Sequence, residues 1–238
     1  MKNIKDEKIF NKNMDEKLAI EVKSLTKSFG KNVVIQDLSF NINRSEKVAI
    51  FAPSGSGKTT LLNILSGIDK NYSGFFNINY SYSFVFQESR LFPYMTAIQN
   101  ILLALQLRKI SITDEILKKI DEWMQITSLK GYEKYYPYEL SGGMKAKIAL
   151  IRAFIIEPKI IFMDEPFKSI DIQSKQTIIN YIKDKYKDLT MLLVTHNIDE
   201  LPLIGGKILK FQVSPLSKYD EIIIEDNLSI SEIIYKLF

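Results

Sequence analysis

Apolar and polar residues alternate along the first part of the chain with the two-residue period of β-strands. This period predicts strands over residues 18–25 and 33–42, with the segment KSFGKN (27–32) as the turn between them. A short apolar run, KVAIFA (47–52), predicts a buried strand, and the spacing of TTLLNILSGI (59–68) then predicts a helix. The pattern therefore places a strand, a glycine-containing turn and a helix in succession.

Helical spacing dominates the middle of the chain. The segment FFNINYSYSFVFQ (75–87) is rich in residues that favour strands, but the segments after it have the amphipathic spacing of helices. These predicted helices cover 96–107, 113–126 and 141–155.

Strands and helices alternate again toward the carboxyl end. The predicted strands are 159–165, 190–196, 207–213 and 221–225, and the predicted helices are 174–187 and 229–238. Alternation at both ends around a helical block indicates an α/β fold with a parallel-sheet core and an inserted helical subdomain.

Composition excludes some kinds of site and leaves others open. The 238 residues are 46% hydrophobic and contain no cysteine, so disulfides and cysteine-based metal sites are excluded. No apolar run approaches the roughly 20 residues of a membrane span. Residues 1–17 alternate charges without an apolar stretch, which predicts a flexible leader and not a secretory signal. The net charge of +4 is mild and fits an anionic membrane surface as well as weak nucleic-acid binding.

The segment APSGSGKTT (52–60) has the residue types of a phosphate-binding loop. Gly55 and Gly57 allow a tight turn that points N–H groups at phosphate oxygens, Lys58 can reach the β- and γ-phosphates, and the Thr59 hydroxyl suits Mg²⁺. The bland alternative is an ordinary glycine and serine turn before a helix. The predicted nucleotide-binding residues of this loop are Ser54, Gly55, Ser56, Gly57, Lys58, Thr59 and Thr60.

Ala52 departs from the loop pattern, which has glycine at this position. If the position requires a positive φ, alanine costs about 1 kcal/mol, whereas if it requires only a small side chain the cost is near zero.

Two acids and a histidine follow apolar strands in the second half of the chain. Asp164 and Glu165 end KIIFMDE, and His196, the only histidine, ends TMLLVTH. In an α/β core such strand ends meet the phosphate loop, so Asp164 is expected to hold Mg²⁺ and Glu165 to act as general base. His196 could hold the γ-phosphate and the attacking water in line. The alternatives are a solvated strand end and a surface or core histidine.

The segment LSGGM (140–144) places Ser141, Gly142 and Gly143 before a predicted helix. A helix N-terminus of this kind can bind a second anion, but Ser141 could equally be a simple N-cap at an ordinary helix start.

Taken in order, the phosphate loop, LSGGM, FMDEP and VTH resemble the ATP-binding subunit of an ABC transporter, from about Leu18 to about Val213. LSGGM followed by basic residues is similar to importers of the nitrate, sulfonate and taurine type. The resemblance implies an α/β P-loop NTPase core with a mainly parallel sheet. It also implies an antiparallel β subdomain near the N-terminus and a single domain over 18–238, with the helical subdomain at about 88–144.

The resemblance also implies roles for particular residues. Two subunits of this family sandwich two ATP molecules, which implies that Ser141, Gly142 and Gly143 contact the γ-phosphate bound by the partner. Gln87 matches the glutamine that senses the metal and the attacking water. Phe29 matches the aromatic residue that stacks on adenine, and Asp171 matches a residue at the dimer seam. The implied catalytic residues are Glu165, His196 and Gln87, and the implied metal-binding residues are Thr59, Gln87 and Asp164.

The function implied by the resemblance is ATP hydrolysis that powers transport through separate membrane subunits, with import of a small anion or organic solute. The implied partners are a second copy of the chain, permease subunits and a substrate-binding protein, without nucleic acid, at the cytoplasmic face of the membrane. The alternatives are an exporter ATPase, a nucleotide-binding regulator with little turnover, and a soluble ABC ATPase of DNA repair or translation. Met144, where glutamine is commoner, Ala52, and Ser45 in place of glycine depart from the family pattern.

Overall fold

The structure is a computed structural model, and it describes residues 17–201, 206–224 and 230–237. The predicted leader (1–17) lies outside the described residues except for Lys17, and so do residues 225, 229 and 238 of the last two predicted elements.

The described residues form nine strands and six α-helices. The strands are β1 (Leu18–Phe29), β2 (Asn32–Asn43), β3 (Lys47–Phe51), β4 (Ser73–Ile78), β5 (Tyr82–Val85), β6 (Ile160–Asp164), β7 (Thr190–Thr195), β8 (Gly206–Lys210) and β9 (Asp220–Ile224). The helices are α1 (Lys58–Leu65), α2 (Ala97–Leu107), α3 (Asp114–Ile126), α4 (Gly142–Phe154), α5 (Ile172–Lys185) and α6 (Ile230–Leu237).

The strands form two sheets. One is antiparallel, in the order β2-β1-β4, and the other has the order β5-β6-β7-β3-β8-β9. In the second sheet β5, β6, β7, β3 and β8 are parallel, and only β9 runs antiparallel to its neighbour. The predicted α/β class, with a mainly parallel core and an antiparallel sheet near the N-terminus, is confirmed.

The parallel sheet separates two apolar layers. On β6, Ile161 and Met163 pack in a cluster with helices α2–α5, whereas Ile160 and Phe162 pack with α1 and the antiparallel sheet. Successive side chains of a strand point to opposite faces, so a strand covered on both faces is apolar throughout. This explains why β6 and β7 are buried along their whole length.

Two predicted boundaries near the N-terminus are wrong. The turn predicted over 27–32 is shorter, because β1 continues to Phe29 and β2 begins at Asn32. Gly30 has φ 58°, and this left-handed conformation lets the hairpin close over two residues.

The strand-rich segment 75–87 divides into β4 and β5, which belong to different sheets. The break lies at Asn79, whose side-chain amide donates to the Leu18 carbonyl at 2.7 Å and so ties the end of β4 to the antiparallel sheet. The proposed boundary of the helical subdomain at about 88–144 stays a prediction, since α2 and α4 share one apolar cluster with the sheet.

Candidate functional site

The site lies at the carboxyl edge of the parallel sheet, where three neighbouring strands end. Asp164 at the end of β6 is in register with Val194 of β7, and Thr195 at the end of β7 is in register with Phe51 of β3. Because parallel strands end at the same edge, the phosphate loop after β3, the acids after β6 and the histidine after β7 are brought together.

The phosphate loop has the backbone of an anion-binding nest. Gly55 has φ 74° and Gly57 has φ 103°, both in the left-handed region. A Cβ at Gly57 would also lie 2.9 Å from the Val34 carbonyl oxygen, so glycine is required there by space as well. Gly57 precedes α1 without a side-chain cap, which leaves the first N–H groups of that helix available to an anion. The buried Ser56 Oγ has no hydrogen-bond partner in the described part of the chain. The loop therefore fits a phosphate group.

Ala52 is not strained by replacing the glycine of the loop pattern. It is buried in the apolar layer between the two sheets and does not adopt a positive φ. Its position therefore does not require glycine, and the cost of about 1 kcal/mol for a positive φ does not apply.

Lys58 lies beneath the phosphate loop, with its side chain buried. Its ammonium donates to the carbonyl oxygens of Ala52 and Pro53, each at 2.8 Å. Burial lowers the pKa of Lys58, and the negative charges of Glu165 and Asp164 oppose that shift. The ammonium is thus held between the loop and the two acids.

Asp164 and Thr59 form the oxygen-rich part of the site. Asp164 is buried, and burial raises the pKa of its carboxyl, while a hydrogen bond from the Thr59 side chain acts in the opposite direction. Within the described residues no group of three or more His, Cys, Asp or Glu could hold a metal alone. A hydroxyl and a carboxylate are oxygen ligands of the kind that Mg²⁺ takes together with substrate phosphates, so the donor set fits this ion.

The carboxylate of Glu165 is the point where three polar side chains meet. His196 Nδ1 lies 2.7 Å from Oε1, while Gln87 Nε2 donates to Oε2 at 3.3 Å and Lys168 Nζ lies 3.3 Å from Oε2. The backbone of Glu165 has φ 45°, and its N–H donates to the Val194 carbonyl at 2.9 Å. A non-glycine residue in this conformation is strained, and such strain clusters at functional sites. The three residues predicted as catalytic are therefore in direct contact.

Phe29 is the last residue of β1 and pairs with Asn32 of β2 across the hairpin. Val34, two residues after Asn32, lies against Gly57 of the phosphate loop. Its ring is 55% exposed, and the Lys27 ammonium lies 4.7 Å from the ring centroid. An exposed ring of this kind can present a flat face to a base.

Ser141, Gly142 and Gly143 lie at the start of α4 and pack on the segment that follows Glu165. Ser141 is the N-cap, and its Oγ accepts from the Met144 N–H at 3.2 Å. A Cβ at Gly143 would lie 2.7 Å from the Ser169 carbonyl oxygen, so this glycine has a packing role within its own chain. Among the described residues, the hydrogen bonds of this segment do not reach the phosphate loop. The side chain of Met144 packs against the apolar layer of the helices.

Asp171 is the N-cap of α5. Its Oδ1 accepts from the Ser174 N–H at 2.8 Å, a bond that lowers the pKa of the carboxyl, and its Oδ2 lies 3.8 Å from Lys147 Nζ. The side chain is exposed, so a capping role does not prevent contact with another chain.

The sequence interpretation missed Lys168 and a buried polar group of Lys175, Thr195 and Glu200. Lys168 lies three residues after Glu165, a spacing that gives a weak signal. The other three residues come from α5, β7 and the 3₁₀ turn after His196, and nothing in the spacing of the sequence pairs them.

The chain was compared with known protein families, and the family model described as ABC transporter matches residues 35–168. Two similar curated proteins are named import ATP-binding proteins. The aliphatic sulfonates import ATP-binding protein SsuB of Bacillus subtilis (strain 168) is 36% identical over 208 residues, which are 83% of this chain and 80% of that protein. The sulfate/thiosulfate import ATP-binding protein CysA of Mesostigma viride is 34% identical over 207 residues, which are 82% of this chain and 59% of that protein.

Among solved structures, a dimeric ATP-binding cassette in a post-hydrolysis state bound to ADP and Pi is similar to the chain. The TM-score is 0.77 at 26% sequence identity, and the match covers 87% of this chain and 99% of that one. The P-loop α/β fold and the ATP-hydrolysing function predicted from the sequence are confirmed. The chain belongs to the ABC transporter family.

Proposed function

We propose that this chain is the ATP-hydrolysing subunit of an importer of a small anion, and that Glu165 is its general base. The observation that carries the proposed mechanism is the contact of the Glu165 carboxylate with both His196 Nδ1 and Gln87 Nε2. Glu165 follows a buried strand and lies at the same sheet edge as the phosphate loop. Because both of its carboxylate oxygens are hydrogen-bonded, the acid is oriented before the substrate arrives.

The phosphates of ATP are bound by the loop of residues 54–60. The N–H groups around Gly55 and Gly57 face the phosphate oxygens, and Lys58 turns its ammonium from the loop carbonyls to the β- and γ-phosphates. Phe29 stacks on the adenine ring. Phenylalanine supplies the aromatic face without a hydroxyl, so the contact is apolar.

Thr59, Asp164 and Gln87 would hold Mg²⁺. When bound, the ion would neutralise negative charge on the phosphates. Glu165 accepts the proton of the attacking water at its carboxylate. His196 keeps this carboxylate in position, because an ionised carboxylate only accepts and the Nδ1–H must therefore donate.

A second copy of the chain completes each ATP site. Ser141, Gly142 and Gly143 precede α4 and have the glycine backbone and helix N-terminus that suit a phosphate, but their own chain places them against Ser169. They contact the γ-phosphate held by the partner, with Asp171 at the seam between the two chains.

The import role is supported by the names of the relatives, which are import ATP-binding proteins for aliphatic sulfonates and for sulfate or thiosulfate. No helix in the described ranges is long and apolar enough to cross a membrane. The chain works at the cytoplasmic face of the membrane, bound to permease subunits that contain the path for the anion, and a separate substrate-binding protein delivers the anion. No observation favours an exporter or a regulator over this role.

The proposal is tested by the oligomeric state of Glu165→Gln with and without Mg-ATP, measured by light scattering after size exclusion. We expect a monomer without nucleotide and a dimer with Mg-ATP, because slow turnover preserves the nucleotide between the chains.

The second replacement Ser141→Arg is expected to abolish this dimer while ATP still binds, since a long cation would occupy the place of the phosphate contact. A dimer that forms equally well with and without ATP, or that persists with Ser141→Arg, would contradict the two-chain site.

A further inference from the structure

A buried polar group lies beside His196 and lines the same cavity. It consists of Lys175 on α5, Thr195 at the end of β7 and Glu200 in the 3₁₀ turn that follows, and we call it the Lys175–Thr195–Glu200 cluster. All three side chains are buried, with 7%, 2% and 3% of their surface exposed. The mechanism described above does not use any of them.

Hydrogen bonds connect the three side chains of the cluster. Lys175 Nζ donates to Glu200 Oε1 at 3.2 Å, and Thr195 Oγ1 donates to Glu200 Oε2 at 2.7 Å. Thr195 Oγ1 also accepts from the Asn197 N–H at 3.0 Å. The Thr195 hydroxyl therefore links the carboxylate of Glu200 to the backbone of Asn197.

His196 lies between Thr195, which carries this hydroxyl, and Asn197, whose N–H donates to it. Its own side chain is 54% exposed, and the hydrogen bond described for its ring is the one to Glu165. A half-exposed ring with one hydrogen-bond partner depends on its backbone for position. Here the side-chain oxygen of the residue before it accepts from the backbone N–H of the residue after it.

One cavity connects the cluster with the candidate catalytic residues. Its volume is about 270 Å³, and it is lined by Glu165 and His196 together with Lys175, Thr195 and Glu200. Removing one partner of a buried charge pair is costly, but the pair itself is weak evidence for stability. Since the cluster borders His196, its location favours a role in positioning that histidine.

We propose that Thr195 is a positioning residue for ATP hydrolysis: its hydroxyl, anchored on the Glu200 side chain that Lys175 pairs with, holds His196 against the Glu165 carboxylate. This inference rests on the proposed roles of His196 and Glu165. The three residues do not touch ATP, and they act only through the backbone on either side of His196.

The first test replaces Thr195 by valine, which keeps the branched shape and removes the hydroxyl. Thr195→Ser restores the hydroxyl, and Thr190→Val is the matched control, because Thr190 is equally buried at the other end of β7 and its Oγ1 accepts from the Ser45 N–H. We expect kcat for ATP to fall about tenfold with Thr195→Val while KM stays within about twofold. Thr195→Ser and Thr190→Val should keep kcat within about twofold of the parent protein.

The single histidine gives a readout that a merely structural role would not move. In the ¹⁵N spectrum of the neutral imidazole we expect the Nδ1-protonated tautomer in the parent protein, since Nδ1 faces a carboxylate that can only accept. Thr195→Ser and Thr190→Val should preserve this tautomer, and Thr195→Val should give a mixture. An unchanged tautomer and unchanged kcat with folded Thr195→Val would overturn the proposal.

A double replacement separates this inference from the proposed function. In a His196→Ala background, Thr195→Val should lower the single-turnover rate by less than about twofold, because the residue that it positions is gone. Equal losses in both backgrounds would contradict positioning through His196. If His196→Ala alone keeps full turnover, the proposed role of His196 fails, whereas a loss with His196→Ala but none with Thr195→Val refutes the positioning role alone.

A second variant covers the case in which Thr195→Val does not fold. Replacing Lys175 by methionine and Glu200 by glutamine together removes both charges and leaves no unpaired buried ion, while the introduced glutamine can still accept from Thr195. We expect this pair to keep the Nδ1-protonated tautomer and to lose kcat less than about threefold. Adding Thr195→Ser should change neither, and loss of the tautomer in the folded pair despite an intact Thr195 hydroxyl would contradict the assignment of that hydroxyl as the link.

Discussion

Two lysines, one at the start of β3 and one at the start of the helix that follows this strand, have similar surroundings but different roles. Lys47, the first residue of the strand, donates to the carbonyl oxygens of Ser45, Lys187 and Leu189 at 3.1, 2.7 and 2.6 Å. Lys58, in the helix that follows the strand, donates to the carbonyl oxygens of Ala52 and Pro53. Burial lowers the pKa of both lysines.

The difference lies in the partners that each ammonium has left. An ammonium has three donors, so the three carbonyls around Lys47 use all of them, and one donor of Lys58 remains for a ligand. The negative charge of Asp188 opposes the lowering of the Lys47 pKa. For Lys58, the charges of both Glu165 and Asp164 oppose it. At the amino edge of the sheet the ammonium is fully used by its own chain, whereas at the carboxyl edge it keeps a donor for the phosphate proposed to bind there.

The largest expected effect comes from replacing each lysine by alanine. Lys58→Ala should weaken ATP binding at least about 100-fold, because the charge-assisted contacts to the phosphates are lost. Lys47→Ala should leave the dissociation constant of ATP within about twofold and lower the free energy of unfolding by about 1–3 kcal/mol, since three carbonyls lose their donor. Equilibrium ATP titration and urea unfolding of both variants measure these effects. Equal losses of ATP affinity in Lys58→Ala and Lys47→Ala would refute the difference between the two edges of the sheet.

A smaller effect is expected at the acids of the carboxyl edge. Burial raises the pKa of Asp164, so its ionised form costs folding free energy at neutral pH. Asp164→Asn should therefore raise the free energy of unfolding by on the order of 1 kcal/mol near pH 7, although Mg-ATP turnover is lost.

The sign of this effect follows from the raised pKa. Below the ordinary range of an aspartate, the carboxyl is protonated in both the folded and the unfolded chain, and the advantage of Asn should disappear. Urea unfolding of the parent protein and of Asp164→Asn between acidic and neutral pH measures the difference, and a difference that grows toward acidic pH would be the opposite of what burial requires.

The smallest expected effect concerns the amino edge. Ser45 has φ 62°, a conformation that favours glycine, and its N–H and Oγ are bonded to Thr190 Oγ1 and to the Asp188 carbonyl. Ser45→Gly removes the strain and one exposed hydrogen bond, so the free energy of unfolding should rise by no more than about 0.5–1 kcal/mol. Thermal unfolding checks the change, and ATP turnover should be unaffected.

Much of the fold followed from local patterns. The strands β3, β6 and β7 are short apolar runs covered on both faces, and the helices around them have clear amphipathic spacing, so their approximate ranges could be predicted. The division of 75–87 between two sheets could not, because it depends on a hydrogen bond from Asn79 to Leu18, sixty-one residues earlier.

The candidate site divides in the same way. Lys58, Asp164, Glu165 and His196 follow strands that end at one edge, so their convergence could be expected from the order of elements alone. The left-handed backbone of Glu165 has no signal in the sequence, since glutamate is common in ordinary conformations. The Lys175–Thr195–Glu200 cluster depends on distances between three separate elements.

The central claim is that the Glu165 carboxylate, held by His196 and Gln87, takes the proton of the attacking water. Its most direct test is the hydrolysis rate of Glu165→Gln at saturating Mg-ATP, measured together with the dissociation constant of ATP. We expect hydrolysis at least about 100-fold slower than in the parent protein and a dissociation constant within about threefold, because glutamine keeps the shape and loses the base. Full steady-state activity with Glu165→Gln would contradict the assignment of Glu165 as the general base.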